Sequence, residues 1–202
     1  MTALEIIGIL VAVALTVNFL LYLKSGEIRK DFACLRVLKD GKWLGAILQS
    51  WVVLALIIGV ALALLKAWPQ VMGWSWLKLL ATPQEGPTAG QNVLMSGLKI
   101  PGFAWIFLIL FGLNVPRLAL NEEYAFRKRA KTPSKIAWSS LRFGMMHCFV
   151  GVPIGFGLAL SIGGLWFSLQ YLRGGVRRSG AYHAIHNWTL LLLAALWLLG
   201  LL

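Results

Sequence analysis

Acidic residues are scarce: 7 Asp and Glu stand against 19 Lys and Arg in 202 residues. Only 13% of the chain is charged while 59% is hydrophobic, which excludes an ordinary soluble domain. The net charge of +12 does not point to nucleic acid, because Lys and Arg gather in a few short loops between apolar runs, as in the cytoplasmic loops of membrane proteins. The expected partner is the lipid bilayer, and no nucleic acid is expected. Cysteine is scarcer still. Cys34 and Cys148 are isolated and form no CxxC pair, which excludes a disulfide framework and a cysteine-rich zinc site. A GxSxG nucleophile elbow and an HExxH zinc signature are also missing. No basic segment precedes the first apolar stretch, which carries Glu5, and no small-residue cleavage site follows it, so it reads as a retained span.

Long apolar runs are what the chain does have. A bilayer core of about 30 Å needs roughly 20 apolar residues per helix. Six segments approach that length: Leu4 to Leu23, Leu44 to Leu65, Ile100 to Leu120, Ile136 to Val150, Ile154 to Leu172 and Ala181 to Leu202. The expected fold is all-α, a polytopic transmembrane helical bundle of about six spans. It divides into an N-terminal part, 1–99, made of a transmembrane hairpin and a Trp-rich interfacial loop, and a membrane core, 100–202. The basic stretches Lys24 to Lys42, Arg127 to Lys135 and Arg173 to Arg178 then fall on one side, the cytoplasmic one. In the Pro-rich connection Lys66 to Lys99, Val71 to Leu80 is too short to span, and Trp74 and Trp76 suit it to the interface. Asn114 and Pro116 in the third span should face neighbouring helices.

Three short pieces set ionisable residues beside apolar helices: Asn121 to Arg127 (NEEYAFR), Phe143 to His147 (FGMMH) and His183 to Asn187 (HAIHN). Ionisable groups near bilayer depth are costly and suggest a functional site. If Asn121 caps a new helix, Glu122 and Glu123 lie in its first turn, where the dipole favours carboxylates. Glu123 and Arg127, four apart, can pair on one face and leave Glu122 free for chemistry. Phe143 and His147 are also four apart, as are His183 and Asn187, so each pair shares a helix face. A carboxylate, a histidine and a His/Asn pair supply a general base and oxyanion donors for amide hydrolysis. Zinc is the lesser option, since His183 and His186 are three apart and His147 is remote in sequence.

The succession EExxxR, FxxxH and HxxxN, in this order in a membrane chain, resembles the CAAX protease and bacteriocin-processing family of intramembrane glutamate proteases, also called Abi or type II CAAX prenyl endopeptidases. The resemblance covers Ile100 to Leu202. It implies that Glu122 and His147 activate the attacking water, that Glu123 and Arg127 support them with Phe143 alongside, and that His183 and Asn187 form the oxyanion hole. It further implies a metal-independent reaction without cofactor, on a protein or peptide substrate of membrane-associated or lipidated type, including prenylated CAAX ends. Multi-pass residence in the plasma (cytoplasmic) membrane follows. Lys128 stands where family members often carry glycine, and six spans are fewer than the prenyl endopeptidases usually have.

Depth adds a constraint. A helix starting at Ile136 would put His147 about 16 Å below the interface at ~1.5 Å per residue. The fourth helix is therefore expected to start near Leu141, with Trp138 to Ser140 interfacial. Two other classes compete: a non-catalytic scaffold, assembly or immunity protein of the same fold, and a transporter. The transporter is disfavoured because the charges cluster at one membrane face.

Overall fold

The computed structural model describes residues 3–39, 41–79 and 103–201. The rest of the Lys66 to Lys99 connection and the beginning of the third span lie outside the described residues. All regular structure among the described residues is helical: α1 (Ala3–Ser25), α2 (Ile28–Phe32), a 3-10 turn (Ala33–Leu38), α3 (Lys42–Ala67), α4 (Pro69–Met72), a 3-10 turn (Trp76–Leu79), α5 (Phe103–Arg127), α6 (Pro133–Met146), a 3-10 turn (His147–Val150) and α7 (Ile154–Leu198).

The centre of the bundle is α7, against which α3, α5 and α6 all pack. Its 45 residues do not form one rod. Gly175 has φ 68°, a left-handed conformation that glycine adopts without steric cost, and there the chain folds back. In a straight helix Phe167 and His183 would be about 24 Å apart. Their ring centroids are 4.1 Å apart, so the arms 154–173 and 176–198 run antiparallel. Arg178 fastens the bend by donating from Nε to Gln170 Oε1 across it at 3.0 Å. The turn falls within the basic stretch Arg173 to Arg178, where the sequence placed one.

Small residues let α6 approach the first arm of α7. A Cβ added at Gly144 would collide with the Gly157 carbonyl, and one at Gly164 would lie 2.9 Å from Ser140 Cα. Such contacts drive helix association where apolar burial gives no preference between protein and lipid. The turn after α6 is held from outside by the Trp-rich segment. Trp76 Nε1 donates to the Cys148 carbonyl at 3.0 Å, Ser75 Oγ donates to the Gly151 carbonyl at 2.7 Å, and the Ile154 amide donates to the Trp74 carbonyl at 3.1 Å. This stretch therefore braces the bundle as well as exposing Trp74.

Two expectations about helix boundaries are corrected. Asn121 does not cap a new helix, because α5 continues unbroken through Arg127. Glu122 and Glu123 thus occupy the C-terminal end of α5, where the dipole disfavours carboxylates, and their stabilisation comes from neighbouring cationic and imidazole groups instead. Nor does the fourth helix wait until Leu141. Thr132 is extended and Pro133 takes the first helical position, where its missing N–H matters least. Ser139 and Ser140 are buried against protein, Ser139 Oγ donating to the Phe126 carbonyl.

Pro116, inside α5, cannot donate to the Gly112 carbonyl. Trp188 does so in its place, Nε1 to Gly112 O at 2.8 Å, binding α5 to the second arm of α7. Asn114 is also buried, its amide donating to the Leu110 carbonyl at 2.9 Å.

Two helices among the described residues, α3 and α7, are long and apolar enough to cross a bilayer. On length and apolarity alone they do not amount to six spans. Only 28% of the apolar stretch of α3 is buried within the chain, and Leu44, Leu48, Val52 and Leu56 are exposed along it.

Candidate active site

Four helical segments meet at one cluster. Near its end α5 carries Glu122, Glu123 and Arg127, α6 brings Phe143, the 3-10 turn after it brings His147, and the two arms of α7 bring Phe167 and His183. The i, i+4 spacing of Glu123 and Arg127 does what the sequence indicated. Both side chains are fully buried, with Arg127 Nε 3.6 Å from Glu123 Oε2. That separation is an ion pair and is too long for a hydrogen bond. Nε and both terminal nitrogens of Arg127 have no hydrogen-bond partner among the described residues. Aromatic faces surround the guanidinium instead: Phe143 at 4.6 Å, Phe126 at 5.6 Å and Phe167 at 6.0 Å. Arginine tolerates such a setting better than lysine, because its charge is delocalised over a plane that stacks on rings.

Glu123 uses its other oxygen on a different helix. His183 Nδ1 is 3.0 Å from Glu123 Oε1, and the ring lies stacked on Phe167 with 21° between the planes. A carboxylate accepting from Nδ1–H fixes the imidazole tautomer and leaves Nε2 as the nitrogen free for chemistry. That nitrogen faces Glu122, with Oε2 at 3.7 Å. Glu122 differs from its neighbour in access: its side chain is 38% exposed, whereas that of Glu123 is 0%. The pair therefore separates into a buried carboxylate that orients a histidine and an accessible one that faces it.

Phe143 is the hinge of the cluster. Its ring contacts His147 (centroids 5.0 Å apart), His183 (5.5 Å), Phe126 (5.6 Å) and Phe167 (5.7 Å). His147 bonds within its own turn, Nδ1 lying 2.9 Å from the Phe143 carbonyl, and makes no hydrogen bond to Glu122 among the described residues. Asn187 is half-buried, one turn beyond His183, and makes no side-chain hydrogen bond among the described residues. His183 thus meets both Glu122 and Glu123, Glu123 pairs with Arg127, and Phe143 lies against both Arg127 and His183. His147 joins through Phe143, and Asn187 only through its place on the His183 face.

Two residues that pack around the site are ones the sequence did not single out. Phe167, one aromatic in an apolar run, forms the floor under His183. Ser50, from α3, lies 3.0 Å from His186 Nδ1, and its hydroxyl is 3.3 Å from Thr189 Oγ1. This holds His186 on the far side of Phe167, the two rings 5.8 Å apart. A hydroxyl inside an apolar span was the only available hint of that contact. Among the described residues no three His, Cys, Asp or Glu side chains are grouped to hold a metal ion.

No family model matches the chain, and neither a curated protein nor a solved structure does.

Proposed function

We propose that the protein is a membrane-embedded peptide hydrolase in which Glu122 activates water. The observation that carries this reading is the placing of His183 between two carboxylates of unlike access, Nδ1 on buried Glu123 and Nε2 toward Glu122. A water shared by Glu122 and His183 Nε2 would be polarised from two sides and delivered to a carbonyl entering from the exposed side of Glu122. General-base assistance of this kind contributes about 10² to 10⁴ in rate. The Asn187 amide, one turn along, supplies a donor for the developing oxyanion. Glu122, having taken the proton from the attacking water, returns it to the leaving nitrogen as the C–N bond breaks, while His147 gives its Nδ1–H to the Phe143 carbonyl and keeps Nε2 as an acceptor. This assignment gives His183 the place opposite Glu122 that the motif resemblance gives to His147.

The resemblance to CAAX-type glutamate proteases supports an endopeptidase acting without metal on a membrane-associated or lipidated peptide. The exposed apolar surface of α3 and the antiparallel arms of α7 support a multi-pass bundle of about six spans, with the basic turns in the cytoplasm. The test is cleavage of membrane-anchored and prenylated peptides by detergent-purified protein, with and without a chelator. Cleavage that survives chelation and vanishes in Glu122→Gln supports the reading, while cleavage by both proteins alike contradicts it.

One observation favours a second reading, a scaffold that binds partners without cleaving them. Glu123 and Arg127 are wholly enclosed, as a purely structural ion pair would be. On that reading Glu122→Gln captures the same membrane partner as the wild type, and neither cleaves it.

A further inference from the structure

The outer face of the same hairpin that presents Glu122 and Glu123 inward holds a cavity of about 460 Å³ between the end of α5 and the start of α6. Four cations line it: Lys128, Arg129, Lys135 and Arg142. No carboxylate is among the lining residues, and none of the four forms a salt bridge among the described residues. Two of the cations are partly held by rings, Lys128 Nζ lying 5.6 Å from the Tyr124 centroid and Arg142 6.0 Å from that of Phe126. Tyr124 and Trp138 flank the cavity and are 53% and 61% exposed. The lip is also fixed to the bundle, since Tyr171 Oη donates to the Lys128 carbonyl at 3.0 Å.

We infer that this cavity binds the headgroup of an anionic phospholipid. Concentrated positive charge without a counter-ion calls for an anionic occupant, and basic pockets at helix ends on the cytoplasmic side are suited to lipid phosphates. The two exposed aromatics select a lipid over a free anion. Tyr and Trp settle at headgroup depth, where their rings meet the glycerol and upper acyl region while the cations reach the phosphate. The volume lies within the range of small-molecule sites. The inference rests on the membrane placement proposed above and not on the peptidase reading.

The probe is a short-chain phosphatidylglycerol added to the full-length protein in a neutral detergent. Short-chain phosphatidylcholine and inorganic phosphate are run in parallel, with thermal midpoint and lipid adducts in native mass spectrometry as readouts. Phosphatidylglycerol is expected to raise the midpoint saturably and to form a discrete adduct, since a ligand of the folded state stabilises it. Phosphatidylcholine and phosphate at equal concentration are expected to do neither. K128Q/R142Q is expected to weaken the phosphatidylglycerol effect at least about tenfold, whereas the control K24Q/K66Q leaves it unchanged. R129Q/K135Q repeats the test should the first variant fail to fold. Equal effects of the two lipids, or equal losses in cavity and control variants, would overturn the inference. A response to inorganic phosphate matching that to the lipid would overturn it too. Alkaline carbonate extraction of native membranes is a separate check. Release of the protein there sinks the membrane placement itself, whereas retention with no lipid selectivity sinks only the headgroup site.

Discussion

His183 Nδ1 lies 3.0 Å from Oε1 of Glu123, a carboxylate with no solvent exposure, and this one bond joins the end of α5 to the second arm of α7. Glu123 therefore holds two partners at once, Arg127 on its own helix and His183 on another. Everything at the site hangs on that charge remaining balanced.

Removing the balancing cation is accordingly expected to be severe. Arg127→Met leaves Glu123 buried without its cation, and breaking a buried pair from one side costs roughly 3 to 5 kcal/mol. Arg127→Lys should recover only part of the loss, because a compact ammonium cannot lie flat against Phe143 as the guanidinium does at 4.6 Å. Thermal unfolding in detergent, followed by helical circular dichroism, measures both. Equal stability of the Met variant and the wild type would contradict the assignment.

The bond from Trp188 to the Gly112 carbonyl predicts a coupling. Trp188→Phe leaves that carbonyl without a donor, at a cost of about 1 to 3 kcal/mol. Pro116→Ala restores the helical N–H that proline removes, so in that background the loss on Trp188→Phe should shrink by about 1 kcal/mol. A double-mutant cycle on unfolding free energies reads the difference directly. Strict additivity would show that Trp188 does not serve the freed carbonyl.

Much of this was legible in the sequence, and what was missed has physical causes. The i, i+4 pairs place Glu123 on Arg127 and Phe143 on His147 because helical spacing alone decides which side chains meet. The turn between the arms of α7 was marked by Arg173, Arg177 and Arg178, though not the glycines, Gly174 and Gly175, at which it bends. The end of α5 was not legible, because the apolar run stops at Leu120 while the helix does not. Glu, Ala and Arg continue a helix readily, and here Glu123 and Arg127 turn into the protein rather than mark its boundary. The start of α6 is legible in the sequence, since threonine followed by proline is a helix-start signal in its own right. Phe167 and Ser50 could not be singled out, since their importance lies only in what packs against them.

Cys34 supplies a prediction away from the cluster. It is 2% exposed in the turn after α2, and burial, reinforced by Asp31, pushes its thiol up to about 11. The thiolate is the reactive form, so at pH 8 in a Cys148→Ser background the folded protein should resist maleimide, while the unfolded chain reacts at once. The sign follows from the raised value. The folded state favours the neutral thiol, and the stability this contributes is complete below the ordinary thiol value of 9.0 and lost as pH climbs through about 11. Labelling of the native protein as fast as the unfolded chain would contradict it.

The central claim is a division of labour between adjacent carboxylates, Glu122 for chemistry and Glu123 for architecture. Its most direct test sets Glu122→Gln beside Glu123→Gln and measures thermal midpoint and peptide turnover on each. The account predicts that Glu122→Gln melts with the wild type and loses at least about a hundredfold in kcat. Glu123→Gln, by contrast, is predicted to melt roughly 5 °C or more below it, with Arg127 left unbalanced. Wild-type turnover by Glu122→Gln, or a drop in midpoint for Glu122→Gln as large as that for Glu123→Gln, would contradict it.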